Sequence, residues 1–147
     1  MEIASVAVEE GPALAEIRAK AMKPSLEAIG RFREERARSR FLATFVPAET
    51  KKIIENHQLV GFFVVRNKPD HLYLDHLYIE PTMQGKGLGA QVIAWVKAIA
   101  QEIDLPIRLG ALKGSKANEF YRAHGFLQTH EDEFDIYYEW SRDEHTM

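Results

Sequence analysis

Six consecutive residues constrain this chain most: Gln84-Gly85-Lys86-Gly87-Leu88-Gly89. They follow a strand-like run, Leu72-Tyr73-Leu74-Asp75-His76-Leu77-Tyr78-Ile79, and open a helix-like run at Leu88. A strand, a glycine-rich loop and a helix start, in that order, build an anion site from backbone alone. Glycines let the main chain turn and approach a ligand without a Cβ penalty. The N–H groups of the first helical turn then face the anion, and the helix dipole favours its charge. The stretch therefore predicts a site for a phosphorylated ligand. A helix start that only needs tight packing is the bland alternative, but three glycines in five residues exceed what packing asks.

Two familiar phosphate loops do not fit. A Walker A loop needs Gly-x-x-x-x-Gly-Lys followed by Ser or Thr. Here Gly87 follows Lys86. A dinucleotide site wants G-x-G-x-x-G after an early strand, with an acidic residue about 20 positions on. Gly85-Lys86-Gly87-Leu88-Gly89 is G-x-G-x-G.

Length and charge narrow the function classes. With 147 residues the chain is expected to form one domain, 1–147. A domain of that size buries roughly 70% of its unfolded surface, enough for its own core. The net charge of −3 gives no reason to expect nucleic-acid binding. Without Cys there is no disulfide, no thiolate metal site and no cysteine nucleophile. The six His residues (His57, His71, His76, His124, His130 and His145) show no ligand spacing such as H-E-x-x-H, so no metal is expected. No basic-then-apolar leader stands at Met1–Ser5, and no apolar run nears the ~20 residues that span a bilayer. A cytoplasmic protein without membrane partners is the expectation.

The pattern along the chain alternates in character. Ile3 to Val8 reads as a strand. Gly11-Pro12 then starts a helix with Leu14, Ile17, Arg18 and Ala21 at helical spacing, up to Pro24. Ser25 caps a short further turn that Gly30 ends, and Glu34 to Thr44 reads as a charged helix. Lys51–Glu55, Asn56-His57 and Leu59–Arg66 form a hairpin, and His71–Ile79 adds a third strand. Leu88, Val92, Ile93, Val96, Ile99 and Ile103 lie on one helical stripe. A strand follows at Ile107–Leu112, then a helix carrying Ala117, Phe120 and Tyr121, with Gly125 as its stop. Phe126–His130 and Phe134–Trp140 are the last strands, and the polar tail from Ser141 to Met147 is expected to fray. The order β-α-α-β-β-β-α-β-α-β-β predicts an α+β domain with one mixed, mostly antiparallel central sheet flanked by helices.

Leu77 to Gly89 resembles the acetyl-CoA motif of the GCN5-related N-acetyltransferases, the GNAT family. That motif reads (Arg/Gln)-x-x-Gly-x-(Gly/Ala) after a strand and a short acidic-Pro turn, and Gln84, Gly87 and Gly89 match it. Ala117-Asn118-Glu119-Phe120-Tyr121-Arg122-Ala123-His124-Gly125-Phe126 is similar to the family's second motif. The order and separation of the two also match, so the resemblance covers nearly the whole chain. It implies acetyl-CoA, that is coenzyme A as acyl carrier. Backbone groups of Leu77, Tyr78 and Ile79 would pair with the pantetheine amides like an added strand. The N–H groups of Gln84, Gly85, Lys86, Gly87, Leu88 and Gly89 would hold the pyrophosphate, with the Lys86 charge in support. A homodimer is compatible with the resemblance, although no residue pattern demands one.

Acetyl transfer to an amine needs a neutral amine, a polarised thioester and a proton for the departing thiolate. An aliphatic amine has a pKa of ~10.4, so removing its proton near pH 7 costs about 4–5 kcal/mol. A carboxylate or His, direct or through water, can take it. By resemblance Tyr121 is the acid. A core aromatic is the bland alternative. Asn118 is a candidate for the pantetheine or pyrophosphate. The family's usual Asn lies seven residues before the Tyr, where this chain has Gly114 beside Ser115. The family's Glu on the strand before the second motif falls at Gly110, which cannot act. Asp75 or His76, acting through water, is the expected base. Strand alternation sends them to opposite faces. In the bland reading His76 is a hydrogen-bonded core His and Asp75 pairs with an Arg or backbone N–H.

The acceptor, a small-molecule or peptide amine, is expected at the early helices and the last hairpin. Glu27 and Arg31 are candidate contacts, or else belong to a solvated helix. Arg31, Arg33, Arg36, Arg38 and Arg40 suit an acidic acceptor or the nucleotide end, or else pair with Glu34 and Glu35. Glu131, Asp132, Glu133 and Asp135 suit a cationic amine, or else form a polar turn. Direct transfer in a ternary complex is expected, since no Cys can carry an acetyl group. A non-catalytic CoA-sensing domain and a transferase for another acyl group are the alternatives.

Overall fold

A computed structural model describes residues 1–142. The strands are β1 (Glu2–Ser5), β2 (Thr50–Glu55), β3 (Gln58–Asn67), β4 (Leu72–Ile79), β5 (Ile107–Leu112), β6 (Leu127–Glu131) and β7 (Asp135–Trp140). The helices are α1 (Gly11–Ala28), α2 (Glu34–Ala43), α3 (Leu88–Ile103) and α4 (Ala117–Ala123). The expected α+β class and element order are both found. The sheet has seven strands in the order β1-β2-β3-β4-β5-β7-β6. β4 and β5 pair in parallel, while β1–β2, β2–β3, β5–β7 and β6–β7 are antiparallel. The tail expected to fray lies, from residue 143, outside the described residues. Among the described residues, no helix is long and apolar enough to cross a membrane.

The chain groups into two compact units: Met1–Val64 with His76–Gly89, and Val65–Asp75 with the chain from Ala90 on. In the first, Leu14, Ala15 and Ile17 of α1, Phe41 of α2 and Phe62 and Val64 of β3 form a buried cluster. Phe41 anchors it, with ring centroids 5.3 Å from Phe45 and 4.9 Å from Phe62. A fully buried Phe stabilises by roughly 1.5–3 kcal/mol relative to an exposed one. The second unit buries Val92, Ile93, Val96 and Ala100 of α3, Ile107 and Leu109 of β5, and Phe126, Tyr138 and Trp140. The expected α3 stripe loses its last member, since Ile103 is 47% exposed.

Two departures from the sequence expectation have local causes. β1 ends at Ser5 rather than running to Val8. The Glu10 carboxylate accepts from the Ala7 N–H (2.9 Å) and from Lys52 (2.8 Å), which folds Val8–Glu10 into a 3₁₀ turn. α1 passes through Pro24 instead of stopping there. Proline forfeits one N–H donor, and Lys20, Lys23 and Pro24 are exposed, so water can reach the carbonyl left without its donor. The helix ends where Gly30 takes φ +70°. Gly30 N–H then returns to the Glu27 carbonyl (3.0 Å) and Arg31 N–H to Leu26 (2.8 Å), a Schellman closure.

The β2–β3 hairpin turns on Asn56 (φ 51°) and His57 (φ 65°), the left-handed pair a two-residue turn requires. Its register slips between Ile53↔Gly61 and Ile54↔Leu59, leaving Val60 in excess. That bulge aims the Val60 carbonyl at the Glu80 N–H, 2.8 Å away.

Candidate functional site

The first unit holds the end of β4 and the loop after it. Leu77, Tyr78 and Ile79 are all half-buried, so this strand end shows none of the alternation of a strand with one covered face. A 3₁₀ turn at Pro81–Met83 reverses the chain, and Gln84 N–H closes it on the Pro81 carbonyl (3.4 Å). The Gln84 side chain reaches back and donates to the Ile79 carbonyl at 3.1 Å. Gln84 thus ties the loop to the strand end.

Gly85 and Gly87 both stand at φ +81°, in the left-handed region. A Cβ on either would meet nothing within 4 Å. Backbone conformation, not lack of space, therefore requires glycine here. Among the described residues no main-chain bond engages the N–H groups of Gly85, Lys86 or Gly87. Leu88 is buried and starts α3, with Gly89 second in that helix. Lys86 is exposed, its ammonium 3.9 Å from the Met83 sulfur. This short surface of free N–H groups at a helix start can take a phosphate.

His76 belongs to the same unit. Its ring packs edge-on to Phe41 at 5.5 Å, and its Nδ1 is 3.2 Å from the Tyr78 hydroxyl. That hydroxyl donates to the Met22 sulfur (3.4 Å), and the Arg18 guanidinium lies 6.0 Å from the Tyr78 ring centre. Glu27 is exposed near the end of α1, and Arg31 is half-buried just beyond it.

Asp75 falls in the second unit. Arg66 holds its carboxylate through both Nε and a terminal nitrogen, each 3.1 Å from the same oxygen. Asp75 and His76, though adjacent, thus serve different partners, as strand alternation requires. Parallel pairing of β4 with β5 covers Leu72↔Ile107 and Tyr73↔Arg108, and Leu74 and Asp75 continue β4 beyond it. Tyr73, unassigned from sequence, has its phenol pushed up by burial, then by the charges of Asp75 and Asp135.

Tyr121 sits on α4, 8% exposed, its ring 5.6 Å from Phe126 and 6.4 Å from Tyr138. Asn118, 5% exposed, lies three residues earlier. Its amide nitrogen donates to the carbonyls of Leu112 (2.8 Å) and Ser115 (3.0 Å). Its oxygen accepts from the Tyr138 hydroxyl at 2.8 Å, which in turn accepts from Arg122 at 3.1 Å. Asn118 therefore locks the start of α4 to β5 and β7, and its oxygen retains a second lone pair. Ser115 gives no side-chain cap to α4.

Gly110 has a physical reason to lack a side chain. A Cβ there would lie 2.9 Å from the Tyr137 ring. The Tyr137 hydroxyl donates to Asp132 at 2.7 Å, which pushes its pKa up to about 12 and holds the Asp132 carboxyl below its usual range. The acidic hairpin is largely satisfied within itself. Asp132 also accepts from the N–H groups of Phe134 and Asp135, and Glu131 pairs with Lys113 at 2.7 Å.

The first unit thus gathers His76, Leu77, Tyr78, Ile79 and the whole Gln84–Gly89 loop, together with Glu27 and Arg31. Asp75, Asn118 and Tyr121 belong to the second. The partners of Arg18 and Met22 were missed from sequence because they lie 19 and 56 residues away in the chain.

A family model described as an acetyltransferase (GNAT) domain matches residues 44–128, more than half of the chain. A search of curated protein sequences returned no match. Solved structures share the fold over nearly all of the chain. The PaiA N-acetyltransferase of Thermoplasma acidophilum, in complex with coenzyme A, aligns with a TM-score of 0.80 at 18% identity, covering 95% of this chain and 98% of that one. An acetyltransferase of Thermus thermophilus gives 0.75 at 18% identity, covering 95% and 96%. The ribosomal-protein-S18-alanine N-acetyltransferase of Escherichia coli gives 0.69 at 16% identity, covering 95% and 92%. Identities this low establish the fold and nothing finer. With the family match over the loop and the second motif, the chain belongs to the GNAT family of N-acetyltransferases, enzymes that use acetyl-CoA.

Proposed function

We propose that the chain acts as a single catalytic domain that moves the acetyl group of acetyl-CoA to a primary amine of a small molecule or peptide, by direct attack in a ternary complex. The observation that carries this reading is the loop with Gly85 and Gly87 both at φ +81° and unengaged N–H groups ahead of α3. The N–H groups from Gly85 to Gly89 take the pyrophosphate, Lys86 adds charge, and Gln84, whose own N–H is spent on Pro81, ties the loop to the strand end. Backbone groups of Leu77, Tyr78 and Ile79 pair with the pantetheine. Asn118 offers its remaining lone pair to a cofactor N–H and sets the pose of Tyr121.

In the reaction the amine nitrogen bonds to the thioester carbon and the carbon–sulfur bond breaks. His76 or Asp75, through water, takes the amine proton, and Tyr121 gives a proton to the leaving thiolate. Glu27 and Arg31 contact the acceptor.

Release of free thiol from acetyl-CoA, followed over a panel of amines, tests this. Thiol release that depends on an amine is expected. A protein that binds acetyl-CoA but releases no thiol with any amine would instead be a CoA-sensing domain of the same fold.

A further inference from the structure

The first unit carries an arginine cluster that the mechanism above does not use. Arg18 of α1 donates a terminal N–H to the Ala37 carbonyl of α2. Its Nε is buried and, among the described residues, is the polar side-chain atom left without a partner. A buried N–H with no acceptor loses its water without replacement and destabilises the fold. Ala37 follows Arg36 and precedes Arg40 by three, and Arg36 and Arg40 share a helix face at i,i+4. Among the described residues, no carboxylate pairs with either of them.

The i,i+4 pairing expected from sequence is found at Arg38 alone among the described residues, beside Glu34 at 3.5 Å. Arg38 is also bonded to Glu16 at 2.7 and 2.8 Å. The Arg40 guanidinium is pushed below its ordinary value, first by Arg36, then by burial, then by Arg18 and Arg31. Crowded like charges with an unpaired buried donor are a standing cost, and an anion would relieve it. The place matters too. Arg18 lies 6.0 Å from the ring centre of Tyr78, at the strand end assigned to the pantetheine.

We infer that the acceptor amine carries an anionic group, a carboxylate or a phosphoryl group, which docks on Arg18, Arg36 and Arg40. This rests on the acetyltransferase reading above and names its substrate class. Guanidinium forks suit planar carboxylates and phosphoryl oxygens. The same charges disfavour a polycationic acceptor. The acidic hairpin does not offset this, because Glu131 and Asp132 are engaged within the second unit.

Matched acceptors test the inference. The common L-amino acids are compared with their amides, and O-phosphoethanolamine with ethanolamine, with spermidine as the cationic control. The wild-type protein should favour the anionic member of a pair by about tenfold or more in kcat/KM, the scale of one charged hydrogen bond. The pair that shows it tells carboxylate from phosphoryl. Arg40→Gln, an exposed position whose loss leaves Arg18 anchored on Ala37, should bring that ratio toward one through KM. Arg36→Gln should do the same. Arg38→Gln breaks the Glu16 pair instead and should leave the ratio standing.

Amides or spermidine preferred by the wild type would overturn the inference while leaving the transferase reading intact. So would a ratio that Arg40→Gln does not move. A rise of about tenfold in the acetyl-CoA Kd of Arg40→Gln would place the cluster on the cofactor and overturn it as well. If acetyl-CoA binds and no amine of any charge is acetylated, the transferase reading fails and takes this inference with it.

Discussion

At the scale of single residues, the proposed chemistry rests on Tyr121 and the proposed cofactor loop on Gly87. Tyr121 is buried among aromatic rings, so its phenol is held in one place. Tyr121→Phe keeps the packing and removes the proton. Turnover should fall by roughly 10²-fold or more, with the acetyl-CoA Kd unchanged, as steady-state rates and calorimetry would show. A near-normal rate would remove Tyr121 as the acid. Gly87 is different, since its φ of +81° carries the role. A left-handed non-glycine costs roughly 1–2 kcal/mol. Gly87→Glu adds that cost and puts a negative charge where a pyrophosphate is expected. Acetyl-CoA binding should vanish while circular dichroism still reports a folded protein. Unchanged affinity would sink the loop assignment. Gly110 shows the reverse logic: it is glycine because the Tyr137 ring occupies its Cβ space. Sequence shows only that a Glu is missing there, not that an aromatic ring replaces it.

At the scale of elements, the glycine-rich loop depends on support from β3. The Val60 bulge turns a carbonyl toward Glu80, and Gly61 lets the β4 main chain come close, because a Cβ there would fall 2.5 Å from the Tyr78 carbonyl. Gly61→Val must push β4 away at the residues assigned to the pantetheine. Overpacking of this kind costs roughly 1–3 kcal/mol. Gly61→Val should therefore lower the denaturation midpoint and weaken acetyl-CoA binding together. A stable variant with wild-type affinity would contradict the coupling.

These supports mark the limit of what the sequence shows. α3 at Leu88–Ile103 and β5 at Ile107–Leu112 were readable because strong periodicity and clear stops agree there. So was the left-handed turn at Asn56-His57. The bulge was not, since one extra residue leaves no trace in composition. Nor was the run of α1 through Pro24, since whether a proline ends a helix depends on whether the carbonyl it leaves unpaired is solvated, which sequence does not show. In the candidate site, the Gln84–Gly89 loop is local chemistry and was legible. An Arg partner for Asp75 was among the readings, though not that it is Arg66; the aromatic setting of His76, which brings in Phe41 and Phe62 from other elements, was not legible.

At the scale of the whole molecule, several carboxylates are held in ionised form. Glu10 is lowered by Lys52 and the Ala7 N–H, Glu16 by Arg38, and Asp132 by Tyr137 and nearby backbone N–H groups. A depressed folded value contributes stability above the unfolded pKa, and that contribution is lost as pH falls through the folded value. The melting temperature should hold steady from about pH 7 to about 5 and drop below about pH 4. Glu10→Gln, Glu16→Gln and Asp132→Asn together should flatten the drop. A protein as stable near pH 3 as near pH 6 would contradict this.

The most direct measurement is a calorimetric titration of the protein with acetyl-CoA, with ATP and NAD as controls. The loop geometry and the family chemistry call for micromolar binding of acetyl-CoA alone, lost in Gly87→Glu. No binding of acetyl-CoA, or equal binding of ATP and NAD, would leave a family fold without its cofactor and would contradict the acetyltransferase assignment.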